Sequence, residues 1–479
     1  MARYITTTLP YVNADPHIGF AVELIQADIL TRIWRQSGET VFFNTGTDEH
    51  GQKILQTSEK EGRDIHEYVD HFAAEFERLN GTLGISNSAF VRTTNPAHIE
   101  AAQEMWRRCH AKGDIYKKAY SGLYCVGCES FKTEKDIEDG RCMIHTHLEL
   151  QEIVEENYFF RLSKYQDAIL EYLDRPNVIV PEWRREEALN FVRGGLEDFS
   201  ISRDVSKLTW GIPVPDDDTQ VMYVWFDALT SYISTLGWPS DPAGNFETYW
   251  NEGKILQLAG KDQVRFQSVM WQAMLMSADI KNTDQVFYHG FINSGGQKMS
   301  KSLGNVISPY ELVEKYGREV TRYLLLRHVH PVEDSDVTWE RMDEWYTANL
   351  VNGLGNLVSR VMKLAETHLS EPVQLTPYDT RVEEPFIKLI NVYEFQQAMD
   401  LVFDHITKGD EYMTTYEPYK KIKDPETEDD ARTHITQLVR HIAKIAAHLE
   451  SVMPETSTAI LTAVRSNTKP ENLFPRLPA

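Results

Sequence analysis

The stretch RYITTTLPYVNADPHIGFAVELIQADILTRIWRQSGETVFFN, residues 3–44, decides the fold. From Arg3 to Leu9 apolar and polar side chains alternate, as they do along a strand. A turn rich in Pro, Asn and Asp follows from Pro10 to Pro16, and from His17 towards Gln36 the apolar residues recur at helical spacing. After Gly38 comes a β-branched and aromatic run, Thr40 to Asn44, which reads as a second strand. Strands joined through a helix lie parallel, and a parallel sheet carries its ligand crevice at the carboxyl ends of its strands.

Working outward, helical patterns cover Ile65 to Leu83 and Pro96 to Lys112, and then the cysteine-rich stretch Tyr124 to His147 breaks the rhythm. It returns with a strand from Val221 to Trp225, a helix through Tyr232, a strand from Ile255 to Leu258 and a helix from Val264 to Ser277. From about Trp345 nearly everything reads as helix: Asn349 to Thr367, Pro385 to Lys408 and Ala431 to Ser451, with the acidic stretch Asp424 to Asp430 as a loop. The expectation is an α/β fold, a Rossmann-type parallel sheet split by a zinc-binding connective insertion and followed by an all-α helical domain. The boundaries fall at 1–117, 118–200, 201–344 and 345–479.

A chain of 479 residues exceeds the roughly 100–200 that one core holds, so two or three packed units are expected. Apolar runs are broken by charge well before the ~20 residues of a membrane span, and the first residues show no secretion signal. Both point to a cytoplasmic protein with no membrane partner. A net charge of −23 speaks against nonspecific binding to phosphate backbones. Basic groups still gather at Arg107-Arg108, Lys117-Lys118 and Lys420-Lys421-Lys423, which read as solvated faces as readily as phosphate contacts.

Three clusters carry chemistry. His17-Ile18-Gly19 opens a helix behind a strand, where backbone N–H groups and the positive end of the helix dipole favour phosphate. Gly19 lets a flat adenine ring approach closely, and His17 can hydrogen-bond a phosphate oxygen. A histidine at such a place is more often a cap or a surface residue. Second, Ser294-Gly295-Gly296-Gln297-Lys298-Met299-Ser300-Lys301-Ser302-Leu303-Gly304 sets two lysines three apart beside hydroxyls and between glycines. It is a loop able to close over a triphosphate and neutralise the charge that develops as pyrophosphate leaves, though alone it also reads as a basic surface loop. Third, Cys125-Val126-Gly127-Cys128 followed by Cys142-Met143-Ile144-His145 has the two-knuckle spacing of a tetrahedral zinc site, with His145 or His147 as the fourth ligand. A redox pair at Cys125 and Cys128 would leave Cys142 and the histidine idle.

His17 to Phe20 and Lys298 to Ser302, in this order, resemble the HIGH and KMSKS signatures of class I aminoacyl-tRNA synthetases, with Phe20 standing where the family has its second histidine. Leu9-Pro10-Tyr11-Val12-Asn13, Gly46-Thr47-Asp48-Glu49-His50-Gly51 and Tyr223-Val224-Trp225-Phe226-Asp227-Ala228 resemble the methionyl branch of that class. The resemblance covers the chain to about Tyr419. It implies an ATP-dependent, AMP-forming ligase that joins L-methionine to tRNA. His17, Lys298 and Lys301 would be its catalytic groups, and ATP would lie on His17, Gly19, Lys298, Ser300 and Lys301 together with Mg2+. Asp48 would hold the amino-acid ammonium, and Leu9, Tyr11, Trp225, Ala228, Tyr232 and Phe266 would form the apolar and aromatic pocket for an unbranched thioether. One structural Zn2+ would sit on Cys125, Cys128, Cys142 and His145, as in relatives with a single C-x-x-H knuckle. The chain departs from the branch at Gln263, commonly aliphatic, and at Gln267, commonly histidine.

In the helical domain Asn352, Asn356 and Arg360 recur every four residues, which puts amide and guanidinium groups on one face while Leu354, Leu357, Val358 and Val361 turn inward. Spacing alone makes this a wet helix face. The resemblance makes it an anticodon-reading helix, with Asn356 and Arg360 contacting bases and Tyr419 stacking one where relatives often carry tryptophan. Two other readings are a class I synthetase for leucine, isoleucine or valine, which needs a large editing insertion, and a degenerate tRNA-binding paralogue. With no appended dimerising module in the sequence, a monomer is expected.

Overall fold

In the computed structural model, residues 1–128, 130–132, 136–299 and 305–477 are described. Ser300 and Lys301 lie outside the described residues, and Lys298 is described through its backbone alone. The chain divides into two compact units. The first comprises Met1–Pro16, Gly38–Gly81 and Ser86–His289, and the second His17–Ser37, Thr82–Ile85 and Gly290–Ala479.

The first unit is built on a six-stranded sheet: β1 (Ala2–Thr6), β2 (Thr40–Thr47), β3 (Ala89–Arg92), β4 (Ile179–Val180), β5 (Lys254–Gly260) and β6 (Gln285–His289). Their order is β3-β2-β1-β5-β6-β4, and every neighbouring pair is parallel. Ile5 of β1 stands opposite Phe43 of β2 on one side and Leu256 of β5 on the other. Consecutive residues Tyr4 and Ile5 are both fully buried, which is the signature of a strand covered on both faces. Tyr4, Trp106, Phe160, Phe226, Trp250 and Trp271 belong to one buried cluster. Sealing a tryptophan such as Trp250 or Trp271 contributes roughly 4–6 kcal/mol of transfer free energy before ordering costs.

Edge strand β4 comes from within 118–200, and the rest of that stretch includes a four-stranded sheet ordered Phe199–Ser200, Gln151–Phe160, Ile115–Cys125, Ser130–Lys132. One sequence expectation changes here. The strand at Val221 to Trp225 ends at Met222, in an antiparallel ladder with Ser202–Asp204 and Pro213–Val214, and Trp225 begins the helix Val224–Ser234. Tyr223 explains the switch, because its carbonyl accepts the N–H groups of Phe226 and Asp227 and so opens a helix in spite of the β-favouring Val, Trp and Phe. The helix expected from Val264 to Ser277 is present without a break, preceded by a 3-10 turn Lys261–Gln263 and widened by a π-helical turn Phe266–Met270 before the α-helical turns Trp271–Ser277. The Gln272 side chain fills the widened turn, donating to the Gln267 carbonyl at 2.9 Å.

The second unit is mostly helical. Its helices include α1 (Ile18–Gln36), α2 (Arg318–His328), α3 (Asn356–His368), α4 (Phe395–Tyr416) and α5 (Glu428–Leu449). Leu354, Leu357, Val358 and Val361 are fully buried as their spacing requires. The helix expected from Pro385 to Lys408 is broken into Glu384–Asn391 and α4, since Tyr393 adopts a left-handed φ of 65° that no helix interior tolerates. None of the searched helices is long and apolar enough to cross a membrane.

Candidate active site, metal centre and helical face

Three adjacent strands of the first unit, β2, β1 and β5, deliver the expected amino-acid-binding residues just past their carboxyl ends. Asp48 follows β2, Leu9 and Tyr11 follow β1, and Phe266 follows β5. Tyr11 and Asp48 continue the parallel pairing beyond the strands: the Val12 N–H donates to the Asp48 carbonyl at 3.2 Å and the Asp48 N–H to the Pro10 carbonyl at 3.0 Å. Trp225 and Phe266 stack face to face, with ring centroids 3.8 Å apart and 12° between planes. Ala228 and Tyr232 lie one and two helical turns along from Trp225, where i, i+3/i+4 spacing puts them on neighbouring faces. Tyr232 accepts a hydrogen bond from the buried Gln267 amide, and its carbonyl takes the Tyr4 hydroxyl at 2.7 Å. The first unit thus carries a stacked aromatic pair, Trp225 and Phe266, and a buried carboxylate, Asp48, whose turn pairs with Tyr11.

Around Asp48 the turn is held by groups that sequence reasoning assigned no role. Glu49, fully buried, takes Arg92 in a two-point contact at 2.7 and 2.9 Å and the hydroxyls of Thr47 and Thr94. Next to it His50 Nδ1 meets Asp227 Oδ2 at 2.7 Å, while His98 Nε2 meets Asp227 Oδ1 at 2.6 Å. Burial alone would raise the Asp227 pKa, but the two imidazoles outweigh it and the net shift is downward, so the carboxylate stays charged. Asp227 thereby ties helix Val224–Ser234 to the turn after β2. The signal was partly present, since His50 and Asp227 stand inside the recognised stretches; His98, on a plain amphipathic helix, gave none.

At the start of α1 in the second unit, His17 caps its own helix: Nδ1 accepts the Gly19 N–H at 3.1 Å. In the neutral ring this puts the proton on Nε2, making that atom a donor. A Cβ on Gly19 would fall 2.7 Å from His17 Cε1, so the glycine is what lets the ring fold back over the helix start. Phe20 packs on the same ring, with centroids 4.7 Å apart.

The cysteine-rich segment of the first unit gathers four ligands. Cys128 Sγ lies 3.2 Å from His145 Nδ1 and 3.5 Å from Cys142 Sγ, Cys125 Sγ lies 3.8 Å from His145 Nδ1, and all four ligand atoms fall within 4.8 Å of one another. Zinc–ligand bonds of ~2.0–2.3 Å in a tetrahedron require edges of about 3.3–3.8 Å, and these three separations of 3.2, 3.5 and 3.8 Å fit such a site. His145 is the fourth member; His147 stands outside the cluster, its ring 6.2 Å from that of His145. A Cβ on Gly127 would meet the His145 ring at 2.6 Å, so the glycine between the cysteines makes room for the imidazole.

On the second unit Asn352, Asn356 and Arg360 are all exposed, and Arg360 reaches Asp410 of α4 at 3.0 Å. Tyr419 is exposed in the short helix Pro418–Lys421, which Glu417 starts from a left-handed φ of 43°.

The family profile described as tRNA synthetases class I (M) matches residues 3–152 and 132–362. A methionine–tRNA ligase of Thermotoga maritima is 38% identical over 98% of this chain and 76% of its own length, and one of Thermosynechococcus vestitus is 39% identical over 95% and 88%. The structure of Mycobacterium tuberculosis methionyl-tRNA synthetase in complex with methionyl-adenylate superposes with a TM-score of 0.90 at 34% identity, covering 100% of this chain and 99% of that one. The chain belongs to the methionine–tRNA ligase family of class I tRNA synthetases. The profile's match ends at residue 362, two residues past Arg360, while the whole-chain relatives carry the likeness through the remaining helices.

Proposed function

We propose that this chain activates L-methionine with ATP, forming methionyl-adenylate and pyrophosphate, and transfers the methionyl group to the 3′ end of its methionine-specific tRNA with release of AMP. The observation that carries this reading is the whole-chain likeness to a synthetase solved with methionyl-adenylate. Asp48, on a turn fixed by Glu49 and by the His50–Asp227 contact, holds the substrate ammonium; a preformed carboxylate loses little on binding because its geometry is already set. Leu9, Tyr11, Trp225, Ala228, Tyr232 and Phe266 take the thioether, whose polarisable sulfur suits aromatic neighbours. His17, with its proton on Nε2, donates to an ATP phosphate oxygen; Gly19 and Ser300 sit against the nucleotide. Lys298 and Lys301 neutralise charge as pyrophosphate departs. Mg2+ accompanies ATP and supplies further phosphate neutralisation.

Cys125, Cys128, Cys142 and His145 hold one structural zinc, which pins a segment with little apolar core of its own. Residues 1–117 and 201–344 act as halves of the catalytic domain around the insertion 118–200, and residues 345–479 read the anticodon through Asn356, Arg360 and Tyr419. The protein works as a cytoplasmic monomer. Incubating it with ATP, radiolabelled methionine and unfractionated tRNA, then resolving charged from uncharged tRNA on acid gels, tests the whole reaction. Methionine esterified to tRNA is the expected product, and ATP cleavage without charged tRNA would remove the transfer half of the proposal.

A further inference from the structure

Tyr416, the last residue of α4, is 39% exposed, three residues before the equally exposed Tyr419. An apolar ring in such a place needs a reason, and its surroundings supply one. It stacks on the imidazole of His434 from α5, with centroids 4.2 Å apart and 24° between planes, and lies 4.4 Å from the ring of Tyr412. Those two supporting rings are themselves locked together, Tyr412 Oη lying 2.7 Å from His434 Nδ1. Their centroids are only 5.5 Å apart. Rings sandwiching Tyr416 from opposite faces would stand on the order of 8–9 Å apart, so His434 and Tyr412 do not enclose it between them, and the ring keeps 39% of its surface exposed. The ring is thus braced by two neighbouring rings that are hydrogen-bonded to each other while part of it stays open to solvent, as a stacking platform requires.

We propose that Tyr416 is a second base-stacking residue of this surface, taking an unstacked tRNA base next to the one assigned to Tyr419. The inference rests on the reading of residues 345–479 as the anticodon-binding domain. Asp410, which orients Arg360, lies six residues before Tyr416 on α4, about 9 Å along the helix axis and about 120° around it, so the two side chains leave adjoining faces of one helix. A nucleobase is the fitting occupant because the platform offers a flat, partly exposed π-face built of aromatic rings rather than an aliphatic groove, on the same helix that supplies the Arg360 partner Asp410.

The test measures kcat/KM for tRNA in aminoacylation with Tyr416→Leu, Tyr416→Phe and Arg360→Ala, each checked for unchanged melting. Leucine keeps the contact with His434 but removes the aromatic face, and should lower kcat/KM roughly five- to hundredfold, mainly through KM for tRNA. Phenylalanine should restore it to near wild type, a split that a merely structural role would not give. Tyr416→Leu at wild-type kcat/KM with Arg360→Ala impaired would overturn the platform and leave the domain's reading standing. If Arg360→Ala were also unimpaired, that reading would fall with it.

Discussion

The guanidinium of Arg322 lies 2.7 Å from the carboxylate of Asp28, joining α2 to α1 with both side chains sealed from solvent. Arg322 also donates to the carbonyls of Val452, Ser451 and Leu83. Removing one partner leaves a buried charge and stranded acceptors. Arg322→Met should therefore destabilise the second unit by ~3–5 kcal/mol, roughly 6–20 °C in Tm. Adding Asp28→Leu should recover only part of that loss, because it removes the unpaired carboxylate but leaves three carbonyls without their donor and Arg32 without its partner. A single variant that melts within about 2 °C of wild type would mean the pair is solvated in solution.

Purified protein never exposed to chelator should carry one zinc per chain by elemental analysis. Cys142→Ser should lose most of it and make residues 118–160 an early target of proteolysis, since the metal substitutes for a core there. Stoichiometric zinc in Cys142→Ser would reassign the ligand set.

His328 should make stability fall on acidification. Its ring stacks on Trp345 at 4.1 Å and 4°, and burial, reinforced by Arg327, lowers its pKa from 6.5 to about 3. The folded state resists protonation while the unfolded chain accepts it, so the contribution is intact above pH 6.5 and is lost as pH falls from there towards 3. His328→Phe keeps the stack and cannot protonate. The difference in Tm between the two proteins should grow in the variant's favour below pH 6.5; a pH-independent difference would show that His328 titrates normally.

Lys301→Ala should slow methionyl-adenylate formation through kcat, with KM for methionine within about threefold of wild type, because the loop's grip on phosphate is strongest in the transition state. A variant altered only in KM for methionine would place the lysine at the amino acid instead.

Much of this was legible in the chain because it rests on local chemistry. The opening strand, turn, helix and strand announce a parallel sheet through residues 3–44, and β1, α1 and β2 lie within a few residues of where their periodicity puts them. Knuckle spacing alone assembles Cys125, Cys128 and Cys142 and leaves only the choice of histidine, which the fold makes at His145. What failed depended on a local backbone turn that overrides propensity or on contacts distant in sequence. The strand placed at Val221 to Trp225 follows β-propensity, whereas the Tyr223 carbonyl and the buried Asp227 make that segment a helix start. The His50–Asp227–His98 network spans three elements and leaves no periodic trace. Nothing in the spacing of Tyr412, Tyr416 and His434 shows that they form one pile of rings, because only the packing of α4 on α5 brings them together.

Amino-acid-dependent ATP–pyrophosphate exchange, run across all twenty amino acids without tRNA, tests the central claim most directly. The account predicts that methionine supports exchange with a kcat/KM at least ~100-fold above leucine, isoleucine or valine, since a pocket fitted to an unbranched thioether gains a few kcal/mol over branched chains. Exchange supported best by another amino acid would contradict the methionine assignment and direct attention to Gln263 and Gln267. No exchange with any amino acid would contradict catalysis itself.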